Sequence, residues 1–96
     1  MSQFKIIFSQ NSLTDIENAS AYYNEQKKGL GKRFAKSVQS TLKSINSNPY
    51  YAAIRYDDIR CAGIKTFPFM IHYHVNEQKK IVSILSVYNT YREPLG

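Results

Sequence analysis

At Pro49 the spacing of apolar residues along this chain changes from about 3.6 to 2. Before it, Leu13, Ile16, Ala19 and Tyr23 recur at helical intervals, and so do Leu30, Phe34, Val38, Thr41, Leu42 and Ile45. Between the two sets stands "GLG" at 29–31, which breaks a helix because each glycine costs about 1 kcal/mol relative to alanine in a helix interior. The spacing therefore predicts one helix running to about Lys28 and a second ending near "NSNP", where Pro49 pushes its predecessor out of the helical region. Helices joined this closely form an antiparallel hairpin. Ser12 followed by Asp15 resembles a capping box and predicts the start of the first helix. Ahead of it, "FKIIF" at 4–8 reads as a strand stopped by the polar "SQNS".

After Pro49 the segments 53–57, 59–67, 69–75 and 80–88 alternate or run apolar, with short polar connections such as "NEQKK" at 76–80. The expected fold is α+β: an N-terminal strand, an antiparallel helical hairpin, then three to four mostly antiparallel strands, with the helices packed on one face of the sheet. Ninety-six residues suit a single domain, 1–96, with one modest core. No apolar run approaches the roughly 20 residues that span a bilayer, so no membrane partner is expected. One cysteine, Cys61, closes no internal disulfide, and "MSQFKIIFSQNS" lacks the apolar core of a signal peptide, so a cytoplasmic location is expected.

In the strand "FPFMIHYHV", Phe69, Ile71, Tyr73 and Val75 fall on one face and Met70, His72 and His74 on the other. The apolar set belongs beneath the helices, which predicts that both histidines face the open, wet side of the sheet. His-x-His is a zinc-compatible spacing, but a site needs a third ligand, and the chain has no third histidine. Cys61 on a neighbouring strand and Asp57 and Asp58 in a turn make a site conceivable, yet no second motif supports one. No metal and no cofactor are expected. A lone cysteine in a strand is read as a small buried hydrophobe.

Thirteen Lys and Arg against seven Asp and Glu leave a formal charge of +6, which suits a polyanionic partner. Lys32, Lys36 and Lys43 fall on one stripe of the second helix with Arg33 beside it, a pattern that a solvated face also explains. Arg55, Arg60, Lys65 and Arg92 lie on or just beyond the strands. Eight tyrosines are many for this length, and Tyr50, Tyr51, Tyr88 and Tyr91 are placed to line an interface or to cap a core that has no tryptophan.

Taken in order, "SLTDIENASAYYNEQKKGLGKRFAKSVQSTLKSINSNP", "IRYDDIRCAGIKTFPFMIHYHV" and "KIVSILSVYNTYREP" resemble the ParE/RelE family of bacterial toxins from type II toxin–antitoxin modules. The resemblance implies the same architecture, a cognate antitoxin that is acidic in its wrapping segment, a toxin–antitoxin hetero-oligomer, and operator DNA contacted only through the antitoxin. It also implies a role in plasmid stabilization. RelE-like members cut mRNA on the ribosome with Lys, Arg and Tyr side chains on the open sheet face; ParE-like members poison DNA gyrase and need no catalytic set. On the nuclease pattern, Lys65 and Arg92 fall where basic residues are expected. Met70 stands where the key arginine belongs, Cys61 and Gly63 stand where lysines often lie, and no tyrosine follows Leu95. The resemblance thus favours the ParE-like branch, with no enzymatic activity. Its binding residues would be Arg55, Arg60, Lys65, Tyr88, Tyr91 and Arg92. The alternative is an mRNA endonuclease using Lys65, His72, His74 and Arg92.

Overall fold

The computed structural model describes residues 4–90. Its elements run β1 (Lys5–Phe8), α1 (Gln10–Gln26), α2 (Leu30–Ser47), β2 (Ile54–Tyr56), β3 (Ile59–Gly63), β4 (Phe69–Asn76) and β5 (Ile81–Asn89). The five strands form one sheet in the order β1-β5-β4-β3-β2. All neighbours are antiparallel except β1 and β5, which are parallel, and the helical hairpin carries the chain from β1 at one edge of the sheet to β2 at the other. This is the α+β arrangement that the change of period predicts. No helix among the described residues is long and apolar enough to cross a membrane.

The first helix begins earlier than the Ser12–Asp15 pair suggests. Ser9 is the N-cap, its hydroxyl accepting from the Ser12 amide at 3.0 Å while Ser12 Oγ donates back to the Ser9 carbonyl at 2.8 Å. Ser12 is consequently buried in the first turn. Asp15, not needed for capping, reaches across to the sheet, where its Oδ2 accepts the Val87 amide at 2.9 Å. That amide lies on β5 beyond the end of β1, so a helix side chain satisfies a strand edge that no neighbouring strand covers.

Helix α2 buries Phe34, Val38, Thr41 and Ile45 along one face. Phe34, Val38 and Ile45 share one core cluster with Ile71 and Tyr73 of β4 and Val82, Ile84 and Val87 of β5, while Phe69 and Val75 pack at the margin. The helix-facing row of β4 is therefore the one that strand alternation predicts. Phe34 also stands in an aromatic group with Tyr23, Phe67 and Phe69, with ring centroids 4.9 to 6.1 Å apart. The Tyr73 hydroxyl donates to the buried Pro49 carbonyl at 2.8 Å, tying the end of the hairpin to the sheet.

Two local departures set the phase of the sheet. Between β4 and β5 the register steps from His72↔Ser86 to Tyr73↔Ile84, so Leu85 is an extra residue. The bulge returns Val87 to the core row that Val82 and Ile84 began, and Ser9 Oγ secures it by donating to the Leu85 carbonyl at 2.9 Å. The strand expected over 59–67 ends at Gly63, since Ile64–Pro68 turn with Thr66 at a positive φ of 68°. Asp57 and Asp58, at φ 43° and 64°, form the two-residue turn joining β2 to β3.

Candidate functional site on the open sheet face

Opposite the helices, His72 of β4 lies between Cys61 of β3 and Ser86 of β5. Neighbouring positions across the same face are Met70 beside Tyr88, and His74 between Ile59 and Ser83. The histidine face is the one predicted, but its wetness is not. His72 is 0% exposed, and Cys61 and Ser86 beside it are buried as well.

The burial of His72 follows from its neighbours. Two-residue reversal at Asp57–Asp58 brings Tyr56 over β4, where its hydroxyl and His72 Nδ1 share a hydrogen bond of 3.1 Å. Tyr88 stands edge-on to the imidazole from the other side, with centroids 5.2 Å apart. An imidazole held this way is a packed, oriented group. His74 is half-buried beside Tyr50, Ile54, Asp58 and Arg60 in a shallow depression of about 180 Å³.

The basic candidates disperse. Arg55 is exposed on β2 and its Nη1 lies 3.6 Å from Met70 Sδ. Lys65 is exposed in the β3–β4 turn. Arg60 serves the scaffold, its Nη1 donating to the Ala52 carbonyl at 2.7 Å and the Tyr50 carbonyl at 3.2 Å, with the guanidinium over the Tyr50 ring. Tyr50 also reaches Glu77 through its hydroxyl, and Tyr51 is exposed. Tyr91 and Arg92 lie outside the described residues. The structure thus brings together Tyr56, His72 and Tyr88, with Arg55 against Met70 on the same face, and places Lys65 in the β3–β4 turn. Tyr56 is the residue that sequence reasoning missed; the Asp-Asp turn one residue later was the available signal.

Among the described residues no three His, Cys, Asp or Glu side chains come together as a metal site. A groove of about 680 Å³ runs between α1 and the end of β5, lined by Asn18, Tyr22, Phe69, Tyr88 and Asn89, and so reaches Tyr88 of the open-face group.

Residues 6–94 match the family described as ParE toxin of the type II toxin–antitoxin system parDE. Among solved structures, the toxin of a chromosomal ParDE system from P. aeruginosa superposes with a TM-score of 0.78 at 12% identity, covering 91% of this chain and 96% of that one. The intact RelBE toxin–antitoxin complex of E. coli gives 0.63 at 17% identity over 90% and 94% of the two chains. An archaeal RelE–RelB complex from Pyrococcus horikoshii gives 0.64 at 11% identity over 96% and 100%. No curated protein matches the sequence. At these identities the likeness to solved structures is one of fold.

Proposed function

The chain belongs to the ParE toxin family of type II toxin–antitoxin systems, and from that membership we propose that it arrests bacterial growth by poisoning DNA gyrase until a cognate antitoxin neutralises it. The reading places it in the bacterial cytoplasm, in a hetero-oligomer with that antitoxin. Several of the solved structures it resembles are toxin–antitoxin complexes, and a charge of +6 suits an acidic wrapping segment.

The observation that carries the gyrase reading is the chemistry of the open sheet face. Cutting RNA requires cations against the phosphorane-like charge and an accessible acid or base to move protons. Here the central histidine is wholly buried under Tyr56 and Tyr88, and Cys61, Gly63 and Met70 occupy the strand positions where the nuclease pattern has basic residues. Such a face is better suited to holding a protein partner than to turning over substrate. One feature favours the mRNA endonuclease instead: exposed Arg55 lies against Met70, which shares the open face of β4 with His72.

Induced expression in bacteria tests the proposal. Growth arrest with chromosome breaks and their repair response, both relieved by the cognate antitoxin, is the expected result. Arrest accompanied by cleaved mRNA and intact chromosomes would overturn it.

A further inference from the structure

Helix α2 carries four cations, Lys32, Arg33, Lys36 and Lys43, and no acid over its 18 residues. Lys27 and Lys28 immediately precede it, so six of the chain's thirteen cations fall within 27–43 with no acid among them. All six are exposed. None forms an ion pair among the described residues, whereas Lys80 pairs with Glu77 at 2.5 Å. At about 100° per residue, Lys32, Lys36 and Lys43 share an arc of about 40° diametrically opposite Phe34, Val38 and Ile45. They extend along about 16 Å of the helix axis.

This arrangement works against the helix that bears it. The N-terminal end of a helix favours negative charge, yet the first turn of α2 has no acid and its last turn has no base. Three of the four cations stand instead in the first two turns, and Lys32 and Lys36 repel each other at i, i+4. A solvated face needs neither feature. A face that receives an anionic partner needs both, because the partner supplies the missing counter-charge.

The composition of the face identifies the partner. Between and beside the lysines stand Gln39, Ser40, Ser44 and Ser47, all exposed, so the stripe combines basic and short hydrogen-bonding side chains. These are the residue types that hold phosphates. The anchors of a protein interface are instead typically large and buried, aromatic side chains above all. The large exposed apolar side chains, Ile7, Leu13, Tyr22, Tyr50, Tyr51 and Ile54, all lie outside α2.

We propose that the outer face of α2, through Lys32, Arg33, Lys36 and Lys43, binds the phosphate backbone of duplex DNA. The proposal rests on the gyrase reading for the choice of DNA, the polyanion that gyrase itself holds. Because the helices cover one side of the sheet, α2 faces away from Tyr56 and Tyr88. One toxin can therefore touch the enzyme with its sheet and the enzyme's DNA with its helix.

The test is fluorescence anisotropy with a labelled 20-base-pair duplex and purified, antitoxin-free protein, without gyrase, titrated at 50 and 200 mM salt. Four phosphate contacts predict a slope of about −3.6 in log K against log salt, a loss of affinity of about 150-fold between the two salts. Replacing Lys32, Lys36 and Lys43 together by Gln, a good helix former, leaves one contact and a loss of about 3-fold. The triple variant should melt no lower than the wild type, which separates lost contacts from lost folding. Lys79→Gln, on the β4–β5 connection, should bind like wild type.

An unchanged salt slope in the triple variant overturns the proposal, as does tighter binding to polyglutamate or to single-stranded RNA than to the duplex. A gyrase cleavage assay on the same preparations separates the two claims. DNA trapped by gyrase with no duplex binding refutes the α2 site alone. Duplex binding that needs the lysines, with no trapping by the wild type, refutes the gyrase reading alone.

Discussion

Replacing Gly31 by Ala should destabilise the protein, although alanine is the better helix former by about 1 kcal/mol. Gly31 lies inside α2, and its amide donates to Asn24 Oδ1 of α1 at 3.0 Å. A Cβ built there would stand 2.4 Å from the Ser20 carbonyl oxygen and 2.8 Å from the Asn24 side chain. The Asn24 amide can swing aside, forfeiting a hydrogen bond worth about 1 kcal/mol. The Ser20 oxygen is backbone of α1, so the hairpin itself must open by about 1 Å, an overpacking cost of about 1–3 kcal/mol. After the propensity gain, a net loss of about 2 kcal/mol remains, which lowers the melting temperature of a domain this size by roughly 8–16 °C. Urea and thermal denaturation followed by circular dichroism measure it. Gly29→Ala is the companion variant, because Gly29 has φ 88° and nothing within 4 Å of a Cβ, leaving only a backbone cost of about 1 kcal/mol. A Gly31→Ala protein as stable as wild type would refute the close approach of the two helices.

His72→Ala should remove a packed imidazole and cost about 2 kcal/mol in chemical denaturation, whereas His74→Ala should stay within about 0.5 kcal/mol; equal effects would overturn the burial difference. Asp15→Ala should expose the Val87 amide to fast hydrogen exchange and cost about 1–2 kcal/mol; unchanged exchange at Val87 would refute the edge contact. Burial pushes the Tyr73 phenol up to about 12 from the ordinary value near 10. Its stabilising contribution is thus complete below pH 10 and falls away as pH rises toward 12, by about 2–3 kcal/mol, because the unfolded chain ionises first. Tyr73→Phe should flatten that alkaline loss while costing about 1 kcal/mol at neutral pH through the unmade bond to Pro49, and an unaltered alkaline profile would contradict the assignment.

Much of this architecture is legible in the sequence because period and face are local properties. The two helices, the β4 core row of Phe69, Ile71, Tyr73 and Val75, and the turn at Asp57–Asp58 all follow from spacing and turn chemistry. Strand β5 is less legible: "IVSILSV" admits either phase, and the bulge at Leu85 that selects Val87 over Ser86 depends on long-range contacts from Ser9 and Asp15. The same limit hides the state of His72. Alternation assigns the imidazole to the open face correctly, but its burial depends on Tyr56, sixteen residues earlier, and on Tyr88 from the next strand. Arg60 is expected as a binding residue, and nothing in the local sequence shows that its guanidinium is held by two backbone carbonyls, which depends on where the 50–52 segment folds.

The most direct test of the gyrase reading uses purified, antitoxin-free protein, gyrase, ATP and supercoiled plasmid, scoring linear DNA after detergent and protease treatment. Linear product should accumulate only with ATP, gyrase and toxin together, and the cognate antitoxin should abolish it. A protein that still arrests growth yet yields no linear DNA would contradict the gyrase reading and return the open sheet face to RNA chemistry.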